Sequence, residues 1–222
     1  MSTSIKHIVI LGPQGSGKGT QAEFLAAVLN LLTISTGHLF RSEVEAKTPL
    51  CLEITEKMKD GVLISDEIIN KMVAERLAKP DCKNGYILDG YPRTLAQAEF
   101  LETIAAPDCV LEIDITDEEA MKRLANRLTC PKCGRVYHPE FKRPRAAGKF
   151  DAFAADLITR PDDTAEATER RLAKYRDEVS GILKYYGKKG VLIKIDGAPA
   201  IEEVKKDVFK QLGLEKAEGK TE

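Results

Sequence analysis

Apolar runs and apolar stripes alternate along this chain. Ile5 to Leu11 is β-branched and apolar, the pattern of a parallel strand buried on both faces. Lys18 to Leu31 places Phe24, Leu25, Val28 and Leu29 at helical spacing. Leu32 to Ser35 reads as a short second strand. Ser65 to Ala78 carries Ile68, Ile69, Met72, Val73 and Leu77 on one stripe, with Ser65 as N-cap and acids in the first turn. Tyr86 to Asp89 is a strand ending on a carboxylate, and Thr94 to Ile104 a helix. Cys109 to Ile115 is another strand. Thr116 with Glu119 forms a capping box that opens a helix to about Leu128. Asp163 and Glu166 repeat that pattern before a long helix to about Tyr186, with Gly187 as its C-cap. Val191 to Ile195 is the last strand and Ile201 to Leu212 the closing helix. This rhythm predicts an α/β fold: a five-stranded parallel sheet flanked by helices. Ser35 to Ile64 and Asn126 to Asp163 break the rhythm and read as insertions at strand ends, where open α/β folds place their sites.

Composition narrows the classes. The 222 residues suffice for one substantial core with inserted subdomains. Thirty-four basic against 35 acidic residues leave a net charge of −1, so the chain offers no electrostatic footprint for nucleic acid. No apolar run approaches the ~18 residues of a membrane helix. The start, MSTSIKHIVILG, lacks the regions of a signal peptide. Five cysteines is an odd count, and Cys51, Cys82 and Cys109 stand singly, which suggests reduced thiols and a cytoplasmic protein. The mitochondrial intermembrane space stays open as an alternative. The tail after Leu214 is charged and expected to fray.

The strongest chemical signal is GPQGSGKGT, Gly12 to Thr20, between the first strand and the first helix. Its glycines let backbone N–H groups turn inward on a phosphate, and the helix N-terminus adds partial positive charge. Gly12, Gln14, Gly15, Ser16, Gly17, Lys18, Gly19 and Thr20 make this candidate nucleotide loop, with Lys18 reaching the β/γ-phosphates. The G-x-x-x-x-G-K pattern is complete, but its hydroxyl comes one place late, at Thr20. A plain glycine-rich turn would not need the lysine.

A second set of cationic residues follows. ISTGHLFR ends on Arg41, and LDGYPRTLAQ carries Asp89, Arg93 and Gln97. Asp89 ends its strand where a phosphate-loop enzyme needs a carboxylate for magnesium or its waters. Arg123, Arg127, Arg160 and Arg171 complete the series. Each alone reads as a surface salt bridge. Together, at strand ends and insertion borders around a phosphate loop, they suit multidentate binding of phosphate.

GPQGSGKGTQ, ISTGHLFR, ILDGYPRT and ITRPDD resemble the four signature segments of the adenylate kinase family, in order, in a likeness running from Ile5 to Leu212. The segment 126–163 resembles the large lid of its long forms. The resemblance implies a P-loop NTPase core of residues 1–34, 65–125 and 164–222, an AMP-binding insertion of 35–64 and a lid of 126–163. It implies reversible phosphoryl transfer from Mg-ATP to AMP, giving two ADP. Thr36, Gly37, Arg41, Val62, Leu63, Ile64, Gly90, Arg93, Gln97, Arg160 and Arg171 then fall at AMP-side positions. Arg123, Val136, Tyr137 and Pro199 fall along the ATP base. Lys18, Asp89, Arg93, Arg127, Arg160 and Arg171 fall at the transferring phosphoryl group, with Thr20 and Asp89 as the magnesium side chains. The implied partners are ATP, AMP and ADP, with no nucleic acid and no membrane, for a monomer. The rivals are a long-lid kinase with another acceptor or with GTP as donor, a zinc-knuckle nucleic-acid module, and a pseudo-enzyme scaffold.

The chain departs from that family at three places. His38 stands where the family usually has Asp; it reads as a tolerated helix-start residue near the site, the alternative being magnesium handling that leans more on Asp89. Gln14 replaces a common Pro in the loop. Cys130 and Cys133 have metal-knuckle spacing, yet the second pair of ligand positions falls on Phe150 and Phe153, which cannot ligate. His138, Asp151 and Asp156 are the rival ligands nearby. The expected role of the two thiols is packing against aromatic rings, with no structural zinc. Protein purified without added zinc should carry none by elemental analysis; about one zinc per chain would overturn this reading.

Overall fold

The computed structural model describes residues 5–39, 65–131, 135–146, 148–149, 156–160 and 163–215. Its strands are β1 (His7–Leu11), β2 (Leu32–Ser35), β3 (Tyr86–Asp89), β4 (Cys109–Asp114), β5 (Leu128–Thr129), β6 (Val136–Tyr137) and β7 (Leu192–Asp196). Its helices are α1 (Lys18–Leu29), α2 (Asp66–Leu77), α3 (Leu95–Ala105), α4 (Asp117–Ala125), α5 (Ala165–Lys189) and α6 (Ile201–Gln211). A five-stranded sheet in the order β2-β3-β1-β4-β7 is parallel throughout, and β5 and β6 form a separate antiparallel pair. Among the described residues no helix is long and apolar enough to cross a membrane.

The apolar run of β1 explains why it lies at the centre. Side chains alternate across a strand, so a central parallel strand needs apolar residues at every position. Ile8 and Ile10 pack with Leu25 of α1 and with Val208 and Phe209 of α6. Val9 and Leu11 face the other way, toward Val73 of α2, Leu101 of α3 and Ile182 of α5. The register pairs Ile10 with Asp89 and Leu11 with Glu112, which brings the strand ends to a common edge. The phosphate loop and residues 36, 90 and 197 all leave from that edge.

Several helix ends differ from the sequence expectation, each for a local reason. The helix opened by Thr116 stops at Ala125, because Leu128 and Thr129 are taken into β5. Thr116 does cap it, accepting the Glu119 N–H at 3.2 Å, but the Glu119 carboxylate goes to Arg123 and does not close a box. The N-cap of α5 is Thr164, which accepts the Ala167 N–H, and not Asp163. That helix also continues through Gly187 to Lys189. Its C-cap is Gly190 at φ 73°, whose N–H meets the Tyr186 and Gly187 carbonyls. Lys188 and Lys189 in the last turn suit the negative end of the helix dipole.

Phe209 is 1% exposed and fills the space between α6, α1 and the sheet. Phe209→Ala should lower unfolding free energy by about 3–5 kcal/mol, measured by denaturant titration. A loss under 1 kcal/mol would mean that this face repacks.

Candidate active site

The phosphate loop is set by close approach of backbone. Gly12 has φ +152°, and a Cβ there would stand 2.3 Å from the Ile113 carbonyl oxygen of β4. No side chain fits at that position. Lys18 then starts α1, and its Nζ donates to the Pro13 carbonyl at 3.1 Å, curling it back over the loop. The ammonium is buried, and desolvation depresses its pKa to about 8. Asp89 opposes the shift, while the positive charges of Arg93, Arg127 and Arg171 add to it. Those groups, far apart in sequence, therefore lie close enough to feel one another. Asp89 has a buried Oδ1 with no hydrogen-bond partner among the described residues.

The turn after β3 builds a second wall. Gly90 sits at φ +83°, and a Cβ would meet Thr36 Oγ1 at 3.1 Å and the Arg93 guanidinium at 3.4 Å. Its carbonyl accepts from Thr36 Oγ1 and from Arg93 Nε, each at 2.9 Å. Thr94 caps α3 by accepting the Gln97 N–H, which fixes where Gln97 points.

On the third side, Arg127 donates through Nε to Asp163 Oδ2 at 2.8 Å and through Nη2 to Oδ1. Arg171 of α5 approaches the same carboxylate at 3.6 Å, and the Asp163 side chain is fully buried between them. Arg160 Nε donates to Thr129 Oγ1 at 3.0 Å, where Thr129 and Ile158 also exchange backbone bonds. Arg123 is held along every edge of its fork: by Glu119 at 2.6 Å and by the Gly197 and Ala198 carbonyls at 2.9 Å each. Its three nitrogens are each tied by one bond, and its flat face lies 5.6 Å from the Phe141 ring centroid.

These walls enclose one cavity of about 1270 Å³. A site for one drug-sized ligand is about 300–1,000 Å³, so this one has room for two nucleotides. Gly12, Gln14, Gly15, Gly17, Lys18, Gly19 and Thr20 line one end. Gly37, His38, Asp89, Gly90, Arg93 and Gln97 line another. Arg123, Arg127, Val136, Tyr137, Arg160, Arg171 and Pro199 complete it. Two expected residues stand just behind the surface. Ser16 is 2% exposed, and Thr36, at 6%, supports Gly90. Arg41, Val62, Leu63, Ile64, Cys133, Phe150 and Phe153 lie outside the described residues.

The adenylate kinase family model matches residues 10–191. The adenylate kinase of Treponema denticola is 42% identical over 198 residues, covering 89% of this chain and 95% of its own length. That of Salinispora tropica is 43% identical, covering 89% and 94%. That of Coxiella burnetii is 44% identical over 212 residues, covering 91% and 92%. This chain belongs to the adenylate kinase family. It is an enzyme of the ATP:AMP phosphotransferase class, a family that works on Mg-ATP and has ATP, AMP and ADP as substrates.

Sequence reasoning missed the carboxylates that hold the recognition groups. Asp163 and Glu119 read as helix-capping residues and serve arginines instead. Asp66 read as a first-turn acid and binds Gln97 and Thr94. Glu23 of α1 carries no local sequence signal. It meets Lys142 at 2.8 Å and Arg135 at 3.7 Å, tying the segment around β6 to the core helix. Spacing of Glu, Arg and Lys at three to four residues signals only the Glu119–Arg123 pair. The rest joins elements far apart in sequence. His138, a rival metal ligand by sequence, uses Nδ1 to accept the Glu140 and Phe141 N–H groups. Among the described residues Cys130 is buried with Leu128, Tyr137 and Leu157.

Burying the charged Lys18 opposes folding below pH 8. Above it the folded state loses this proton before the unfolded chain does, so stability rises with pH until about 10.4. Lys18→Met should therefore raise the Tm of nucleotide-free protein at pH 7 and lose activity. The gain is worth roughly 1.4 kcal/mol for each pH unit by which the lysine is depressed. It should shrink between pH 8 and 10.5. A constant difference across that range would contradict the buried charge.

Proposed function

We propose that this cavity binds ATP and AMP together and transfers the γ-phosphoryl group in line between them. The observation that carries this is the convergence of Lys18, Asp89 and the arginines 93, 127, 160 and 171 on one cavity of two-nucleotide size. Phosphoryl transfer asks a protein for alignment and charge stabilisation more than for covalent chemistry. Lys18 and the amides of Gly15 to Thr20 hold the β- and γ-phosphates. Arg127 and Arg171, held together by Asp163, stabilise the transferring group. Arg93 and Arg41 hold the AMP phosphate, and Gln97 meets its base. Arg123 offers its face to the ATP base, with Val136, Tyr137 and Pro199 beside it. In this reading residues 35–64 form the AMP-binding domain and 126–163 the lid, and both close to exclude water as a competing acceptor.

Magnesium fits this donor set. Among the described residues no three His, Cys, Asp or Glu side chains cluster into a cage. A magnesium ion that keeps waters and phosphate oxygens needs only one or two protein ligands. Asp89, with its buried unpartnered Oδ1, and Thr20 would hold the ion or its waters. Bound there, magnesium would neutralise charge between the β- and γ-phosphates. The reading places the enzyme in the cytoplasm as a monomer.

ADP formation from ATP, AMP and magnesium in a coupled assay tests the assignment. Lys18→Ala and Arg127→Ala should each lower kcat by at least about 10²-fold, the cost of removing one stabiliser of transition-state charge. Wild-type kcat in either variant would remove that residue from the mechanism.

A further inference from the structure

Gln97 is held at both ends of its amide. Its Oε1 accepts the backbone N–H of Arg93 at 2.8 Å, and its Nε2 donates to Asp66 Oδ1 at 2.6 Å. A backbone N–H can only donate and a carboxylate can only accept. Turning the amide by half a revolution would set donor against donor and acceptor against acceptor. The carboxylate is itself anchored. Its Oδ2 accepts the Thr94 hydroxyl at 2.6 Å, and it stands in the first turn of α2, where the helix dipole favours negative charge. Asp66 and Gln97 both line the cavity.

The lock has a chemical consequence. A locked Gln97 amide has one Nε2 hydrogen and one Oε1 lone pair left, side by side and in fixed order. That pair matches the ring N1 acceptor and 6-amino donor of adenine. Hypoxanthine and guanine present the reverse, an N1–H donor and an O6 acceptor. A glutamine free to turn its amide could serve either polarity. One pinned by Arg93 and Asp66 serves only the 6-aminopurine.

We propose that Asp66 is a positioning residue that sets acceptor-base specificity by preventing rotation of the Gln97 amide. The proposal rests on the reading that Gln97 meets the AMP base, and its test separates the two. The kcat/KM for AMP and for IMP, with ATP as donor, is measured on wild type, Asp66→Asn, Thr94→Ala and Gln97→Ala. Asparagine can present an N–H to a turned Gln97 carbonyl, which removes one of the two clashes and leaves the one with the Arg93 N–H. Asp66→Asn should therefore shrink the AMP-over-IMP ratio by about tenfold, the size of one hydrogen bond's discrimination. Thr94→Ala removes the anchor that aims the Asp66 carboxylate and the cap that places Gln97, so it should lower Tm and shrink the ratio in the same direction by less than Asp66→Asn. Both acceptors are measured on one sample, so the ratio does not depend on the folded fraction. An unchanged ratio in Asp66→Asn, with a collapsed ratio in Gln97→Ala, overturns the lock alone. An unchanged ratio in Gln97→Ala overturns the base contact beneath it.

Discussion

The constraint on which this structure turns is repulsion among cations that must share one cavity. Lys18, Arg93, Arg127 and Arg171 lie close enough that the arginines lower the lysine's proton affinity. In a low-dielectric site, unit charges a few ångströms apart interact by several kcal/mol, and desolvation adds to the cost. The fold answers with carboxylates placed between the cations. Asp89 opposes the shift at Lys18, and the buried Asp163 holds Arg127 and Arg171 at one point. In the proposed function nucleotide phosphates supply the remaining negative charge. A site that tolerates its cations poorly without phosphate has that much more to gain by binding it.

That requirement explains the architecture around it. A parallel sheet brings every carboxyl strand end to one edge, so a loop, a turn and a helix start can all face one volume. Gly12 against the Ile113 carbonyl and Gly90 against Thr36 mark where backbone replaces side chain to keep that volume open. The apolar faces below, with Ile8 and Ile10 on one side and Val9 and Leu11 on the other, make the edge rigid. Lys142 and Arg135 on Glu23 then draw the β5–β6 segment toward α1.

What the sequence disclosed follows from how local each signal is. β2 and β3 match their expected bounds, because a short apolar run between breakers has one reading. The phosphate loop was legible because its glycines, lysine and flanking elements are contiguous. The arginines were legible through family resemblance. Their carboxylate partners were not, because a carboxylate at a helix start has a ready local explanation. Asp163 and Glu119 looked like capping groups. In the folded chain Asp163 meets an arginine 36 positions away, and a buried bidentate ion pair outweighs an exposed capping bond. Gly187 misled for a similar reason. Glycine is permitted inside a helix, and only packing shows that Gly190 makes the turn. The C-x-x-C stretch was read as a small core of thiols and phenylalanines. Its described part places Cys130 among Leu128, Tyr137 and Leu157, a partner set that no spacing rule reveals.

The same carboxylate device recurs with a different object. Glu119 and two carbonyls tie each nitrogen of Arg123, so the plane of the guanidinium is fixed. Asp66 and the Arg93 N–H use up one direction of the Gln97 amide, so it can act only in one polarity. The groups proposed to meet the two bases are thus fixed by the protein's own contacts. By contrast, Arg127 and Arg171 share one carboxylate that a phosphate can replace, oxygen for oxygen. Discrimination between bases needs groups that cannot adapt, since an adaptable group binds the wrong base as well. Transition-state stabilisation needs charges released at the moment of closure. Partners that phosphate cannot displace suit the first role, and a displaceable one suits the second.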